Sequence, residues 1–186
     1  MNPLRLVRLI RDAGRIAEPA PPAPTAAPAP AGPAIGTGRS LPVADDNPDR
    51  TPQCPRALRG SVHVRHVDVG SCNGCEIEVG QAFGPVYDVD RYGVHLVASP
   101  RHADVLAVTG VVTHNMRAPL ERTLDATPRP RMVVAIGDCA CDGGEFVGAY
   151  GVVGAVGDVV PVDLQVPGCP PTPDEIVAAL RRVSGR

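Results

Sequence analysis

The sequence predicts an α/β protein built on a parallel sheet with helices on both faces. Short, β-branched apolar runs alternate with stretches that suit helices. The runs are almost continuously apolar, which is the pattern of strands buried on both faces rather than one. A third observation says where such a sheet would do its work. Three of the runs end in glycine-bearing loops that also hold cysteine.

Composition bounds the reading before any element is placed. The 186 residues allow one domain of ordinary size plus a tail. Hydrophobic residues make up 44% and aromatic residues 3%, with no tryptophan, so the core is aliphatic. The formal net charge of −2 gives no overall attraction to nucleic acid. Six cysteines in a small secreted chain would suggest disulfides, but no signal peptide is evident. The early apolar stretch is interrupted by arginines, so no membrane span is expected, and the thiols are expected to be reduced and free.

Within residues 1–17 the sequence predicts an amphipathic helix over 3–17. Leu6, Val7, Leu9, Ile10, Ala13, Ile16 and Ala17 share one face, opposite Arg5, Arg8, Arg11 and Arg15; only Leu4 breaks the pattern. Such a helix suits an anionic membrane surface or a partner's groove, and an Arg-rich presequence or an ordinary solvated helix has the same pattern. Residues 18–60 follow as a linker. Its first half is almost all proline and alanine, which favours an extended polyproline spacer. Its second half is polar and irregular, and Cys54 beside Pro55 reads as a free thiol.

The folded domain is expected over 61–186. Strands are predicted at Val62–Val69, Val94–Val97, Val105–Val108, Met132–Ile136 and Val159–Val166. Helices are predicted at Glu76–Phe83, Met116–Ala126 and Pro173–Val183. The last is the best marked, with Thr172 as N-cap, Pro173 at the first helical position and Glu175 completing a capping box. There is no P-loop and no G-x-G-x-x-G at a strand–helix junction.

The cysteines carry the chemistry. The first strand runs into Gly70-Ser71-Cys72-Asn73-Gly74-Cys75, where Gly74 is expected to allow a tight turn between the two thiols. Taken alone, C-x-x-C also fits a redox dithiol. Met132–Ile136 runs into Gly137-Asp138-Cys139-Ala140-Cys141, and Val159–Val166 runs into Pro167-Gly168-Cys169-Pro170. In an open parallel sheet the carboxyl ends of the strands share one edge. Cys72, Cys75, Cys139 and Cys169 are therefore expected to converge there. Four thiolates suit a four-iron cluster or a structural zinc. Two ligands standing singly on distant strands, one of them followed by proline, favour iron–sulfur; zinc usually takes two local pairs.

At these residues the chain resembles a known family. Ser71-Cys72-Asn73-Gly74-Cys75-Glu76, Ser99-Pro100-Arg101-His102-Ala103-Asp104, Gly137-Asp138-Cys139-Ala140, Pro161-Val162-Asp163 and Val166-Pro167-Gly168-Cys169-Pro170-Pro171-Thr172 look like the 20-kDa iron–sulfur subunit of complex I. They look equally like the related small subunits of membrane-bound [NiFe] hydrogenases, formate hydrogenlyase included. The resemblance covers about residues 60–184. It implies a flavodoxin-like fold with one [4Fe-4S] cluster beside a large catalytic subunit, next to membrane-arm subunits. In complex I such a cluster hands electrons to quinone; in the hydrogenases it is the one nearest the nickel–iron site.

Two departures bear on the branch. The complex I subunits carry two adjacent cysteines in the first motif, whereas this chain has the C-x-x-C of the hydrogenase type. Cys141 stands where the family usually has a small residue, and reads as a spectator with a ligand swap with Cys139 as the alternative. The chain shows neither the cysteine-rich C-terminal domain nor the twin-arginine signal of periplasmic uptake hydrogenases. The resemblance thus implies one cluster and a peripheral place on the cytoplasmic side of the cell membrane. Glu76 is expected at the partner interface or simply complementing a helix dipole. Arg101 and His102 are expected to hydrogen-bond near the cluster. The expected role is an electron-transfer subunit of a hydrogenase-type complex, with an NADH–quinone oxidoreductase subunit and a zinc-stabilised interaction module as the alternatives.

Overall fold

The computed structural model describes residues 55–186. The expected helix in 1–17, the linker up to residue 54 and Cys54 lie outside the described residues. A 3-10 turn at Arg56–Leu58 buries Leu58 in the core, so the folded segment reaches back a few residues before Ser61.

Five strands form the main sheet: β1 (Val62–Asp68), β2 (Val94–Leu96), β3 (Val105–Thr109), β5 (Met132–Ile136) and β7 (Leu164–Val166). All pair in parallel, in the order β2-β1-β3-β5-β7. This is the flavodoxin-like order, in which the winding reverses between β1 and β3. Two short strands, β4 (Val112–Thr113) and β6 (Val152–Gly154), form a separate antiparallel ribbon.

Both faces of the sheet are covered, which explains the unbroken apolar runs. Val105, Ala107, Met132, Val134 and Ile136 face one core; Leu106, Val108, Val133 and Ala135 face the other. Helices α1 (Gly74–Ala82) and α4 (Pro173–Ser184) close the first core with Val79, Ile176, Leu180 and Val183. Helices α2 (His114–Ala126) and α3 (Asp138–Asp142) close the second with Leu120, Leu124 and Ala140. The capping box of α4 forms as expected: Glu175 N donates to Thr172 Oγ1, and Thr172 N donates to Glu175 Oε2.

Two expectations are corrected. The run Val159–Val166 is not one strand, because only Leu164–Val166 pairs with β5. Pro161 has no N–H to give a ladder, and the chain joins the sheet at Asp163. Its N–H donates to Val133 O (2.9 Å) and its carboxylate accepts from Val133 N (2.7 Å). The apolar character of the earlier part serves packing instead, with Val156 and Val160 buried in the second core. The segment after β5 is also not a plain loop. It is the short helix α3, which carries Cys139 and Cys141.

Candidate metal centre

The loop after β1 is set by its own side chains. Asp68 Oδ1 accepts from Gly70 N (2.8 Å) and Ser71 N (2.7 Å), and Ser71 Oγ accepts from Asn73 N (3.2 Å). The tight turn between the thiols falls on Asn73, at φ 71°, not on Gly74 as expected. Asparagine tolerates the left-handed region better than most residues. Gly74 instead opens α1, and a Cβ there would lie 3.6 Å from Cys72 Sγ and 3.8 Å from Pro170 Cγ. Cys72 stays exposed on the loop, and Cys75, one step into α1, turns inward and is buried.

The loops after β5 and β7 are clamped to each other. Gly137 N donates to Val166 O (2.8 Å), Asp138 N to Gly168 O (2.9 Å), and Gly168 N to Asp138 Oδ1 (2.7 Å). Gly137 has φ 92°, and a Cβ there would fall on Cys75 Sγ. Only glycine fits both demands. This brings the end of β5 against the first motif, with Cys139 half-buried in α3 and Cys169 exposed beyond β7.

Electrostatic influence links the thiols of the three loops. Burial pushes the Cys75 thiol up to about 11, and the charges of Cys139, Cys72, Cys169 and Asp138 add to it in that order. Cys139 is raised by burial and then by Cys169, Cys72 and Asp138, its own backbone N–H opposing. Ionising Cys75 and Cys139 is therefore disfavoured without a cation beside them. Soft thiolates from three strand ends fit an iron–sulfur group or zinc. Among the described residues, no three histidine, cysteine, aspartate or glutamate side chains are gathered so as to hold a metal ion.

Cys141 points elsewhere. Its thiol packs in the second core and donates to Ala135 O at 3.8 Å, and burial pushes it up to about 12. Glu76 lies in the first turn of α1, its carboxyl raised by burial and by the Asp68 charge. Arg101 and His102 are not brought to the thiols. They sit in a 3-10 turn (Pro100–His102) just before β3, whose first residue is in register with Val64. That is the amino half of the sheet, whereas the cysteines follow its carboxyl ends. Of the other histidines, His63 meets Asp104 (3.3 Å), His95 meets Asp90 (2.9 Å) and His66 meets Thr109 Oγ1 (2.9 Å). Sequence reasoning passed over Asp68 and Asp138. An aspartate ending a strand just before Val-Gly-Ser is a signal for the turn that Asp68 makes.

Residues 72–183 match the family described as NADH ubiquinone oxidoreductase, 20 Kd subunit. The chain belongs to this family. It is thus a subunit of an oxidoreductase complex of the complex I and hydrogenase class. Formate hydrogenlyase subunit 7 of Escherichia coli is 40% identical over 144 residues, which cover 76% of this chain and 56% of that one. The chain thus spans about half the length of that relative. A probable membrane-bound hydrogenase subunit, mbhJ of Pyrococcus furiosus, is 44% identical over 69% of this chain and 77% of its own. Among solved structures, the membrane-bound sulfane sulfur reductase, an archaeal respiratory membrane complex, matches with TM-score 0.61 and 28% identity, covering 69% of this chain and 71% of that one. A [NiFeSe]-hydrogenase of Dm. baculatum, at 19% identity, TM-score 0.50 and coverage of 64% and 61%, shares the fold alone. Among the described residues, no helix is long and apolar enough to cross a membrane.

Proposed function

We propose that the chain is an electron-transfer subunit of a complex-I-like, membrane-associated oxidoreductase of the hydrogenase type, and that Cys72, Cys75, Cys139 and Cys169 hold one [4Fe-4S] cluster. The observation that supports this is that Cys72, Cys75, Cys139 and Cys169 follow three strand ends at one sheet edge, with Cys75 raised by the charges of the other three and Cys139 by those of Cys169 and Cys72. A structural zinc usually takes two local pairs of ligands, whereas Cys139 and Cys169 stand singly on distant strands. A cubane spreads its four cysteines around a larger body. When bound, the cluster supplies one-electron transfer.

The chain's own residues do the rest. Asp68 and Asp138 hold the cysteine loops in place, and Gly137 leaves the room that Cys75 Sγ fills. Burial of Cys75 keeps one side of the site dry, while Cys72 and Cys169 face outward, toward a large catalytic subunit. Glu76 follows Cys75 in the first turn of α1. The C-x-x-C spacing and the two hydrogenase-named relatives favour hydrogen chemistry. The family description favours quinone as the alternative acceptor. Two C-x-x-C nickel motifs in the large subunit, with hydrogen oxidation by the assembled complex, select the first reading; quinone reduction without them selects the second.

Anaerobically purified protein is expected to be brown and to hold about four irons per chain. Alanine at Cys72, Cys75, Cys139 or Cys169 abolishes the iron, while Cys141→Ala and Cys54→Ala keep it. Stoichiometric zinc without iron overturns the proposal. The amphipathic stretch in residues 1–17 is proposed to attach the subunit, peripherally, to the cytoplasmic membrane face or to its membrane-arm partners. Deleting it should leave the iron and shift the protein from the membrane to the soluble fraction; equal partition of both forms rules the attachment out. Salt should loosen the full-length protein if lipid charge dominates, at about 1 kcal/mol per arginine.

A further inference from the structure

A hollow outside the cysteine loops runs beside α4 and the 3-10 turn before β2. A cavity of about 350 Å³ is lined by Val86, Tyr87, Arg91, Tyr92, Asp174, Val177, Ala178 and Arg181. Arg91 and Tyr92 lie just before β2, whose first residue pairs with Val62 at the start of β1. The cationic end of the hollow therefore lies at the amino end of the sheet, opposite the thiols, and owes nothing to the cluster reading.

Its charges are arranged unusually. The guanidinium of Arg91 stacks on the Tyr92 ring at 4.8 Å, and that of Arg181 on the same ring at 4.4 Å. One ring thus contacts both cations. Neither takes part in an ion pair among the described residues, and the neighbouring acid, Asp90, is engaged with His95. The single carboxylate in the lining, Asp174, sits seven residues before Arg181 on α4, about 10 Å along the helix axis. Between the two ends the floor is Val177 and Ala178, and Val86, 78% exposed, forms an apolar rim.

We propose that this trough binds an amphiphilic phosphate, with the phosphate held by Arg91 and Arg181 and an apolar body along Ala178, Val177 and Val86. Two guanidiniums match the charge of a phosphate monoester, about −1.5 to −2 at neutral pH, and the planar forks can each bind two of its oxygens. The apolar floor gives the rest of the ligand a surface that a bare anion cannot use. Asp174 repels a second negative charge at the other end, so polyanions are excluded and a ligand charged at one end only is admitted.

The test is calorimetric titration of the purified full-length chain with three probes: the soluble lipid dihexanoyl phosphatidate, dihexanoyl phosphatidylcholine and inorganic phosphate. Phosphatidate is expected to bind, with each of the other two about tenfold weaker or more. Arg91→Gln combined with Arg181→Gln should weaken phosphatidate about tenfold or more, with the melting temperature and any bound iron unchanged, since both side chains are exposed. Co-sedimentation with phosphatidylcholine vesicles, with and without phosphatidate, then separates the sources. Vesicle binding that needs Arg91 and Arg181 assigns a membrane lipid; binding of the soluble probe alone assigns a free amphiphile. The proposal is overturned if phosphatidate does not bind, if the double variant binds it as well, or if inorganic phosphate binds as tightly.

Discussion

Leu106 and Ile136 in the sheet interior are enclosed by apolar neighbours from two helix layers, whereas at the carboxyl edge Gly70 N donates to the Asp68 carboxylate and Gly168 exchanges two hydrogen bonds with Asp138. Interior stability is spread over many small contacts, each of which can be replaced by a residue of similar volume. Edge geometry rests on a few positions at which backbone angle and clearance are both fixed, and there size alone does not make a substitution acceptable. One region makes the fold and the other shapes the site, so the two should fail separately.

The largest expected effect on stability lies in the interior. Leu106→Ala removes a fully enclosed side chain from β3 and should cost about 2–5 kcal/mol. Chemical denaturation measures that loss, and the folded fraction should still hold the iron of the proposed cluster. Iron lost before the sheet melts would mean that interior and edge are not separable. Next comes Gly137→Ala. The left-handed backbone costs about 1–3 kcal/mol for a non-glycine residue, and the new methyl takes the place of Cys75 Sγ. Here iron content should fall sharply while far-ultraviolet circular dichroism stays native. A variant that keeps full iron contradicts the close approach.

The smallest effect sharpens the boundary between the regions. His66 lies in β1 two residues before Asp68, bonded to the enclosed Thr109. Burial holds its pKa below the ordinary 6.5, with Asp68 opposing and Arg65 assisting. The unfolded chain therefore takes up a proton first as pH falls. The stability tied to neutral His66 is present above pH 6.5 and is lost as pH drops below it. His66→Gln should flatten this part of the stability profile without changing iron content at pH 7.5. An unchanged acid slope in the variant would place the proton uptake on another group.

Much of the fold was legible because burial on two faces leaves a mark that burial on one does not. Met132–Ile136 reads as a strand from its apolar continuity alone, and the structure has the same bounds. The capping residues of α4 are local chemistry and were equally plain. The run Val159–Val166 misled because apolar residues packed from a loop look the same as apolar residues in a strand. Helix α3 escaped notice because five residues make too little of a turn to show a period. Arg101 and His102 matched the family pattern in sequence, but the return from β2 to β3 carries them to the amino half of the sheet.

By itself the sequence determined that strands ending in cysteine loops alternate with helices, since residue type and order set the pattern of burial and turns. It also determined that parallel pairing would gather those loops at one edge. The choice between Cys139 and Cys141 was left to the tertiary structure. Two residues apart on a helix, their side chains point about 200° from each other. When Ala140 buries in the second core and Gly137 lets Cys75 approach, Cys139 turns to the other thiols and Cys141 turns into that core. No local property of the segment separates the two cysteines; the packing of α3 against a sheet assembled from distant strands does.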